Sequence, residues 1–84
     1  MSQYNRGYTY QKILESAENG ASESKIRSDA HLTSIEVDKY LHKMIENDLV
    51  RFDARARTYN TTKHGSDFLK TIKEVGYFLS FAEK

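Results

Sequence analysis

The chain has 84 residues, with thirteen Lys and Arg against twelve Asp and Glu, and no cysteine. This length allows one domain with one modest core, and the near balance of charge means that affinity for a polyanion must come from how the charges are distributed. The lack of cysteine excludes disulfides, thiolate chemistry and cysteine-ligated zinc, and suits a reducing cytosol.

Two helices are predicted at the start of the chain. Over residues 8–19, or from a few residues earlier, apolar residues three and four apart form an amphipathic stripe, and Asn19-Gly20 supplies a C-terminal stop. A shorter second helix begins at Ser22 or Ser24, whose hydroxyls can accept hydrogen bonds from free backbone N–H groups, and ends near Ala30. We expect this second helix to depend on tertiary packing.

A third helix follows a tight link at His31-Leu32. Thr33 and Glu36 have the T-x-x-E spacing of a capping box, which marks its start, and it ends near Asn47. Its predicted buried stripe has the three-and-four spacing of a helix face and consists of Val37, Tyr40, Leu41, Met44 and Ile45. Helices two and three therefore form a predicted helix-turn-helix.

A β-hairpin is predicted next. Val50 and Phe52 alternate with Arg51 and Asp53, and a second β-prone run surrounds Tyr59. The turn, around residues 54–56, contains no Gly, Asn or Pro, so the prediction depends on the alternation and on the β-branched threonines.

The last helix is predicted to be capped by Thr62 and to run to about Ala82, a length of roughly 30 Å. Its apolar residues follow the 4-3-4-3 spacing of a coiled-coil seam, broadened by Leu69. In one interpretation the whole stripe folds back on the first helix within a monomer. In the other, which we favour, its distal half, from Val75 to Phe81, pairs with the same segment of a second chain, because a monomer would expose a large apolar patch there. The dimerisation residues would be Phe68, Ile72, Val75, Phe78, Leu79, Phe81 and Ala82.

Nothing in the sequence predicts an enzyme. The three histidines, His31, His42 and His64, lie far apart and lack the i, i+4 spacing of a helical metal site. Glu36 and Asp38 are two apart on a helix and point in different directions. We therefore expect no catalytic residue, no metal and no cofactor.

The charge distribution is more informative. Residues 33–48 sum to −2, whereas residues 51–63 sum to +3, so the hairpin is the cationic element. Arginines two apart share one face while strand geometry holds, and Arg55 lies at the tip. The candidate DNA contacts comprise the start of helix two, the exposed face of helix three and the hairpin arginines: Ser22, Ser24, Lys25, Ser34, Ile35, Asp38, Lys39, His42, Lys43, Arg51, Arg55 and Arg57. The alternative is that both surfaces are ordinary solvated ones.

Two segments carry a resemblance to a known family. The stretch "KILESAENGASESKIRSDAHLTSIEVDKYLHKMIENDLVRF", followed by "YNTTKHGSDFL", resembles the archaeal winged-helix regulators. The matching positions are Ile13, Leu14, Ala17, Gly20, Ala21, Ser22, Lys25, Ile26, Leu32, Thr33, Tyr40, Leu41, Met44, Ile45, Glu46, Leu49, Val50, Tyr59, Thr62, Gly65, Phe68 and Leu69.

The chain departs from the family pattern in two places. The family usually has Gly in the turn after helix three, where this chain has Asp48, so Asn47 or Asp48 must take the left-handed conformation. Glu36 and Asp38 also make helix three more acidic than is common in the family.

The resemblance implies a mainly α protein with a small β-hairpin (α+β), built as a winged helix-turn-helix with a long C-terminal coiled-coil helix. Residues 1–62 would form the winged domain, and residues 63–84 the dimerising helix. It also implies a homodimeric transcriptional regulator that binds double-stranded DNA sequence-specifically. Because polar residues interrupt every apolar run well short of the roughly 18 residues of a membrane span, we expect a cytoplasmic, nucleoid-associated protein with no membrane partner. The alternative is a winged-helix protein-interaction module that does not bind DNA.

Overall fold

Four helices and one hairpin make up the fold in the predicted order. The computed structural model describes the backbone of residues 2–82 and the side chains of residues 7–75. The elements are α1 (Ser2–Ser16), α2 (Glu23–Ala30), α3 (Ser34–Glu46), β1 (Val50–Asp53), β2 (Thr58–Thr61) and α4 (Lys63–Ala82). The prediction of a mainly helical chain with one antiparallel hairpin is confirmed.

Side chains fix the starts of the middle helices. Ser22 caps α2, because its hydroxyl accepts a hydrogen bond from the Lys25 N–H at 3.2 Å. The predicted capping box at the start of α3 is present, with Thr33 and Glu36 each accepting a hydrogen bond from the other's backbone N–H. His31, with φ of 57°, ends α2 in the left-handed conformation and makes the sharp link of the helix-turn-helix.

The turn after α3 shows which residue replaces the expected glycine. Asp48 has φ of 59°, whereas Asn47 stays at −94° and its side-chain amide donates to the Lys43 carbonyl at 2.8 Å. Asp tolerates the left-handed region better than most residues, because its short polar side chain can bond locally. The chain can therefore reverse direction here without glycine.

One core holds the helices together. Its buried side chains come from all four helices, the loops between them and β1: Ile13, Leu14, Ala17, Ala21, Ile26, Ala30, Val37, Leu41, Met44, Leu49, Val50 and Leu69. Leu69 and buried Gly65 join the first turns of α4 to this core. The division of the chain at residue 62 stays a prediction.

The predicted stripe of α3 needs one correction. Val37, Leu41 and Met44 are buried and Tyr40 is half-buried, but Ile45 is 42 % exposed. At 100° per residue, Ile45 is rotated about 80° from Val37, which places it at the edge of the buried face.

The hairpin is anchored to the link between α1 and α2. Val50 pairs with Thr61 at its base. Tyr59 and Ala21 exchange backbone hydrogen bonds of 2.7 and 3.0 Å, so Ala21 acts as a short third strand. The Thr61 hydroxyl also donates to the Leu14 carbonyl at 2.8 Å. These bonds fix the position of the wing relative to the helices.

No helix within residues 2–82 has both the length and the hydropathy needed to cross a membrane.

Candidate nucleic-acid interface

The outer face of α3 is open to solvent from its first turn. While Val37, Leu41 and Met44 hold the inner face to the core, the predicted contact residues lie on the exposed side. Those residues are Ser34, Ile35, Asp38, Lys39, His42 and Lys43. A shallow depression follows this side of the helix, lined by Asp38, Lys39, His42, Lys43 and Glu46. The structure therefore brings the predicted residues of α3 together on one accessible surface.

The tip of the hairpin has turn chemistry that the sequence prediction missed. The Asp53 carboxylate accepts hydrogen bonds from the backbone N–H groups of Arg55 at 3.0 Å and Ala56 at 3.3 Å. This is an Asx turn, in which an aspartate side chain stands in for a backbone acceptor. The signal was available in the sequence, since Asp53 comes two residues before Arg55 at the end of a β-prone run.

The hairpin arginines do not share one strand face. Arg51 lies in β1 opposite Asn60, but the strand ends at Asp53 and residues 54–57 form the turn. Arg57 has φ of 55°, so the alternation of a strand does not extend to Arg55 and Arg57. All three arginines are exposed. Their position on the wing is confirmed, while their distribution is one on the strand and two at the tip.

An aromatic pair lies beside these arginines. Phe52 is 47 % exposed rather than buried, and its ring lies 4.8 Å from that of Tyr59 on the neighbouring strand. The two residues are directly paired across the hairpin, so their side chains contact on the same face. This contact covers part of an apolar ring that the core does not reach.

The polar side chains at the start of α2 are less available to contact DNA than the sequence predicts. The Lys25 ammonium donates to the Asp29 carboxylate at 2.7 Å, and the Ser16 hydroxyl donates to the same oxygen at 2.8 Å. The Lys25 hydrogen bond and then the Ser16 hydrogen bond lower the pKa of Asp29. The Ser22 hydroxyl caps the helix and lies 3.3 Å from the Ser24 hydroxyl. The candidate DNA-contact groups at the start of α2 are thus engaged in hydrogen bonds within the chain.

Cations on α3 and the wing, unlike Lys25, form no ion pair among the described residues. Within the part of the chain whose side chains the structure describes, ion pairs join Lys25 to Asp29, Lys63 to Asp67, and Lys73 to Glu15. Five exposed cations on α3 and the wing form no ion pair with any described residue: Lys39, Lys43, Arg51, Arg55 and Arg57. This surface can therefore accept anions without first breaking an internal ion pair.

Asp38 acts electrostatically on Tyr59 of the wing. Burial raises the pKa of Tyr59, and the nearby carboxylates of Asp38 and Glu23 raise it further. Asp38 itself is exposed and makes no hydrogen bond or ion pair among the described residues. A free carboxylate is thus exposed on α3, near enough to Tyr59 of the wing to raise its pKa.

The predicted dimerisation residues fall into two groups. Phe68 is 39 % exposed and Val75 is 51 % exposed, while Ile72 packs against the core. The Phe68 ring makes an edge contact with Tyr10 of α1 at 6.1 Å. The side chains of the remaining four, Phe78, Leu79, Phe81 and Ala82, lie outside the described residues. Leu69, which the prediction placed on the flank of the seam, is buried in the core.

Metal ligands are not grouped on this surface. Among residues 7–75, no three His, Asp or Glu side chains are close enough to hold a metal ion.

Comparison with known families agrees with the geometry. Residues 6–79 match the family described as winged helix-turn-helix, which is most of the chain. The chain therefore belongs to the winged helix-turn-helix family, with α3 as its second helix-turn-helix helix and the β1–β2 hairpin as its wing. No curated protein matches the chain. Family membership points to DNA binding or regulation.

Proposed function

We propose that this protein binds double-stranded DNA sequence-specifically as a homodimer and regulates transcription, as the resemblance to archaeal winged-helix regulators implies. The observation that carries the proposal is the set of five unpaired cations on α3 and the wing. Phosphate contacts supply most of the affinity of such proteins, and free cations provide it at the lowest cost.

The shape of α3 supports the same function. Its 13 residues extend for about 20 Å, and the major groove, about 12 Å wide, admits one helix. The core holds α3 by its inner face, so the outer face can enter the groove. The wing, fixed to the body by the hydrogen bonds between Tyr59 and Ala21, would then hold Arg55 and Arg57 against the neighbouring backbone or minor groove.

The test is duplex binding across a salt series. Neutralisation of four to six phosphates predicts that affinity falls about 100- to 1,000-fold between 50 and 200 mM salt. Replacing Arg55 by Gln and Arg57 by Asn in one variant should lower the slope of log affinity against log salt by about 2 for each chain that contacts the DNA. Asn is chosen at position 57 because it tolerates the left-handed conformation found there.

A matched control removes the same charge elsewhere. Lys63→Gln with Lys70→Gln also deletes two exposed cations, both on α4 and one of them paired with Asp67, and should leave the slope nearly unchanged. Equal slopes for the two double variants would refute the wing's role. Absence of binding to any duplex at low salt would refute DNA binding and favour a protein-interaction module.

Dimerisation through α4 is the second part of the proposal. Exposed Phe68 and Val75 lie seven residues apart, so they share a face of the helix and continue along it toward the apolar C-terminal residues. A homodimer would bury this face and present two copies of α3 and the wing to DNA. Two copies double the phosphate contacts that a single chain can make.

Sedimentation velocity of the full chain tests the dimer. Val75→Glu places a charge on the proposed interface and should convert the dimer to monomer. Ser66→Glu is the control, because Ser66 is exposed on the opposite side of the same helix. A dimer that persists in Val75→Glu, or a monomeric wild type, would contradict the proposal.

A further inference from the structure

Two exposed side chains near the start of α3 are unsuited to binding a DNA phosphate. Ile35 is 70 % exposed, the largest exposure among the large apolar side chains that the structure describes. Asp38 is an exposed carboxylate with no hydrogen-bond or ion-pair partner among the described residues. Three residues apart on a helix, they are neighbours on one face. Lys39, His42 and Lys43 follow on the adjoining surface.

The chemistry of the major groove limits what these two can contact. A carboxylate is repelled by phosphate and by the acceptor atoms of guanine, and it needs a donor. The groove offers two exocyclic amino donors, on cytosine and on adenine. Adenine carries the acceptor N7 beside its amino group and would repel the second carboxylate oxygen, so cytosine is the better partner of Asp38.

Ile35 needs an apolar partner. The 5-methyl group of thymine is the apolar group that the major groove displays. Three residues of helix advance about 4.5 Å, and successive base pairs are about 3.4 Å apart. Side chains at positions 35 and 38 can therefore reach bases within two steps of each other.

We infer that Asp38 accepts a hydrogen bond from the N4 amino group of a cytosine, and that Ile35 contacts the methyl group of a thymine within two base steps. This inference rests on the proposed DNA binding and extends it to the base content of each half-site. It also accounts for an acidic residue on a DNA-facing helix. Repulsion between Asp38 and the phosphates lowers affinity for every duplex, and the hydrogen bond to cytosine offsets this loss only where the cytosine is present. The wing and lysines then supply the affinity that Asp38 removes.

Selection of duplexes from a random pool tests the role of Asp38. The wild-type chain of 84 residues should enrich a cytosine at one position of each half-site. Asp38→Asn should shift that position toward adenine, since the Asn amide can bond both N6 and N7, with a change in preference of roughly tenfold. The control Glu46→Gln removes a carboxylate from the same depression and should raise affinity for all sequences alike.

The outcomes separate base recognition from a general charge effect. If Asp38→Asn binds every sequence more tightly with no change of preferred base, as Glu46→Gln is expected to do, the inference is overturned while the proposed function stands. If the wild type retains no duplex from the pool at low salt, the proposed function fails, and this inference with it.

A thymine-to-uracil scan of the selected duplex tests Ile35. Loss of the one contacted methyl group should weaken the wild type about fourfold at a single position, from the burial of one methyl. Ile35→Ala should bind the thymine and uracil duplexes equally at that position. A wild type that is indifferent to every replacement would overturn the role of Ile35. Because both residues are exposed, unfolding curves of the variants should match the wild type and exclude misfolding.

Discussion

The Thr33 hydroxyl accepts a hydrogen bond from the Glu36 N–H at 3.1 Å, and the Glu36 carboxylate accepts one from the Thr33 N–H at 2.9 Å. This reciprocal pair satisfies two otherwise free donors at the start of α3. It also assigns the acidic residue Glu36 to the helix cap. The negative charge lies at the positive end of the helix dipole, where it is stabilising.

Removal of this cap should destabilise the fold. We expect Thr33→Ala to lower the free energy of unfolding by about 1 kcal/mol, because the Glu36 N–H loses its acceptor. Thr33→Ser keeps a hydroxyl and should retain most of the stability. Urea unfolding at one fixed protein concentration measures both. Equal losses in the two variants would show that the hydroxyl is not responsible.

Local signals of this kind explain how much of the fold was predictable. The capping box, the Ser22 cap and the hairpin each depend on signals within a few positions, and the structure confirms all three. Burial at the edges of elements was less predictable. Ile45 and Phe52 follow apolar patterns but are exposed, because the core beside them ends before it can cover them.

The candidate site shows the same division between local and tertiary information. That α3 has an exposed face with Lys39 on it follows from helical periodicity alone. The pairing of Lys25 with Asp29 is also local in sequence, but its third member, Ser16, comes from α1 and depends on how the helices pack. The effect of Asp38 on the pKa of Tyr59 likewise requires the wing to be placed beside α3.

Gly65 is expected to be intolerant of any side chain. A Cβ added to Gly65 would overlap the Leu49 carbonyl group, which is backbone and cannot rotate away, and would press on the Thr61 methyl group. Gly65→Ala should therefore lower the free energy of unfolding by about 3 kcal/mol. Thermal unfolding measures the loss.

Gly7→Ala is the matched control for this prediction. Gly7 lies in α1 with no atom within 4 Å of an added Cβ, so alanine should be neutral or should stabilise the helix by up to about 1 kcal/mol. A Gly65→Ala variant as stable as Gly7→Ala would show that α4 can move away from Leu49, contrary to the close approach in the structure.

Asp53 should organise the hairpin tip. Asp53→Ala removes the acceptor of the Arg55 and Ala56 N–H groups and should speed their hydrogen exchange and lower stability by about 1 kcal/mol. Asp53→Asn removes the same charge but keeps a side-chain oxygen, so it should keep slow exchange at both amides. If the two variants exchange alike, charge rather than the Asx turn controls the tip.

Arg57 should be the position of the wing at which a substitution most easily raises the stability of the fold. Its φ of 55° is unfavourable for a residue with a Cβ, and glycine adopts this conformation without steric cost. Arg57→Gly should therefore stabilise the fold by about 0.5–1 kcal/mol while weakening DNA binding, because a phosphate-binding cation is lost. Unfolding and duplex binding measured on the same sample separate the two effects. A loss of stability would mean that the Arg57 side chain makes a contact stronger than the backbone strain.

Asp29 should make the free energy of unfolding depend on pH in the acid range. Hydrogen bonds from Lys25 and Ser16 hold the pKa of its carboxyl below the ordinary 3.8, so the folded state favours the ionised form. The resulting stabilisation is fully present above about pH 3.8 and is lost as the pH falls through the lowered folded value. Unfolding experiments should therefore show that the wild type is more stable than Asp29→Asn at pH 7, and that this difference in stability shrinks below pH 3.8.

The same substitution also tests whether Lys25 contacts DNA. Asp29→Asn also releases the Lys25 ammonium at the start of α2, so duplex affinity should rise and the salt slope should steepen by about 1 for each chain that contacts the DNA. A variant that gains no salt dependence would show that Lys25 lies too far from the DNA backbone to contact a phosphate, even when it is not paired with Asp29.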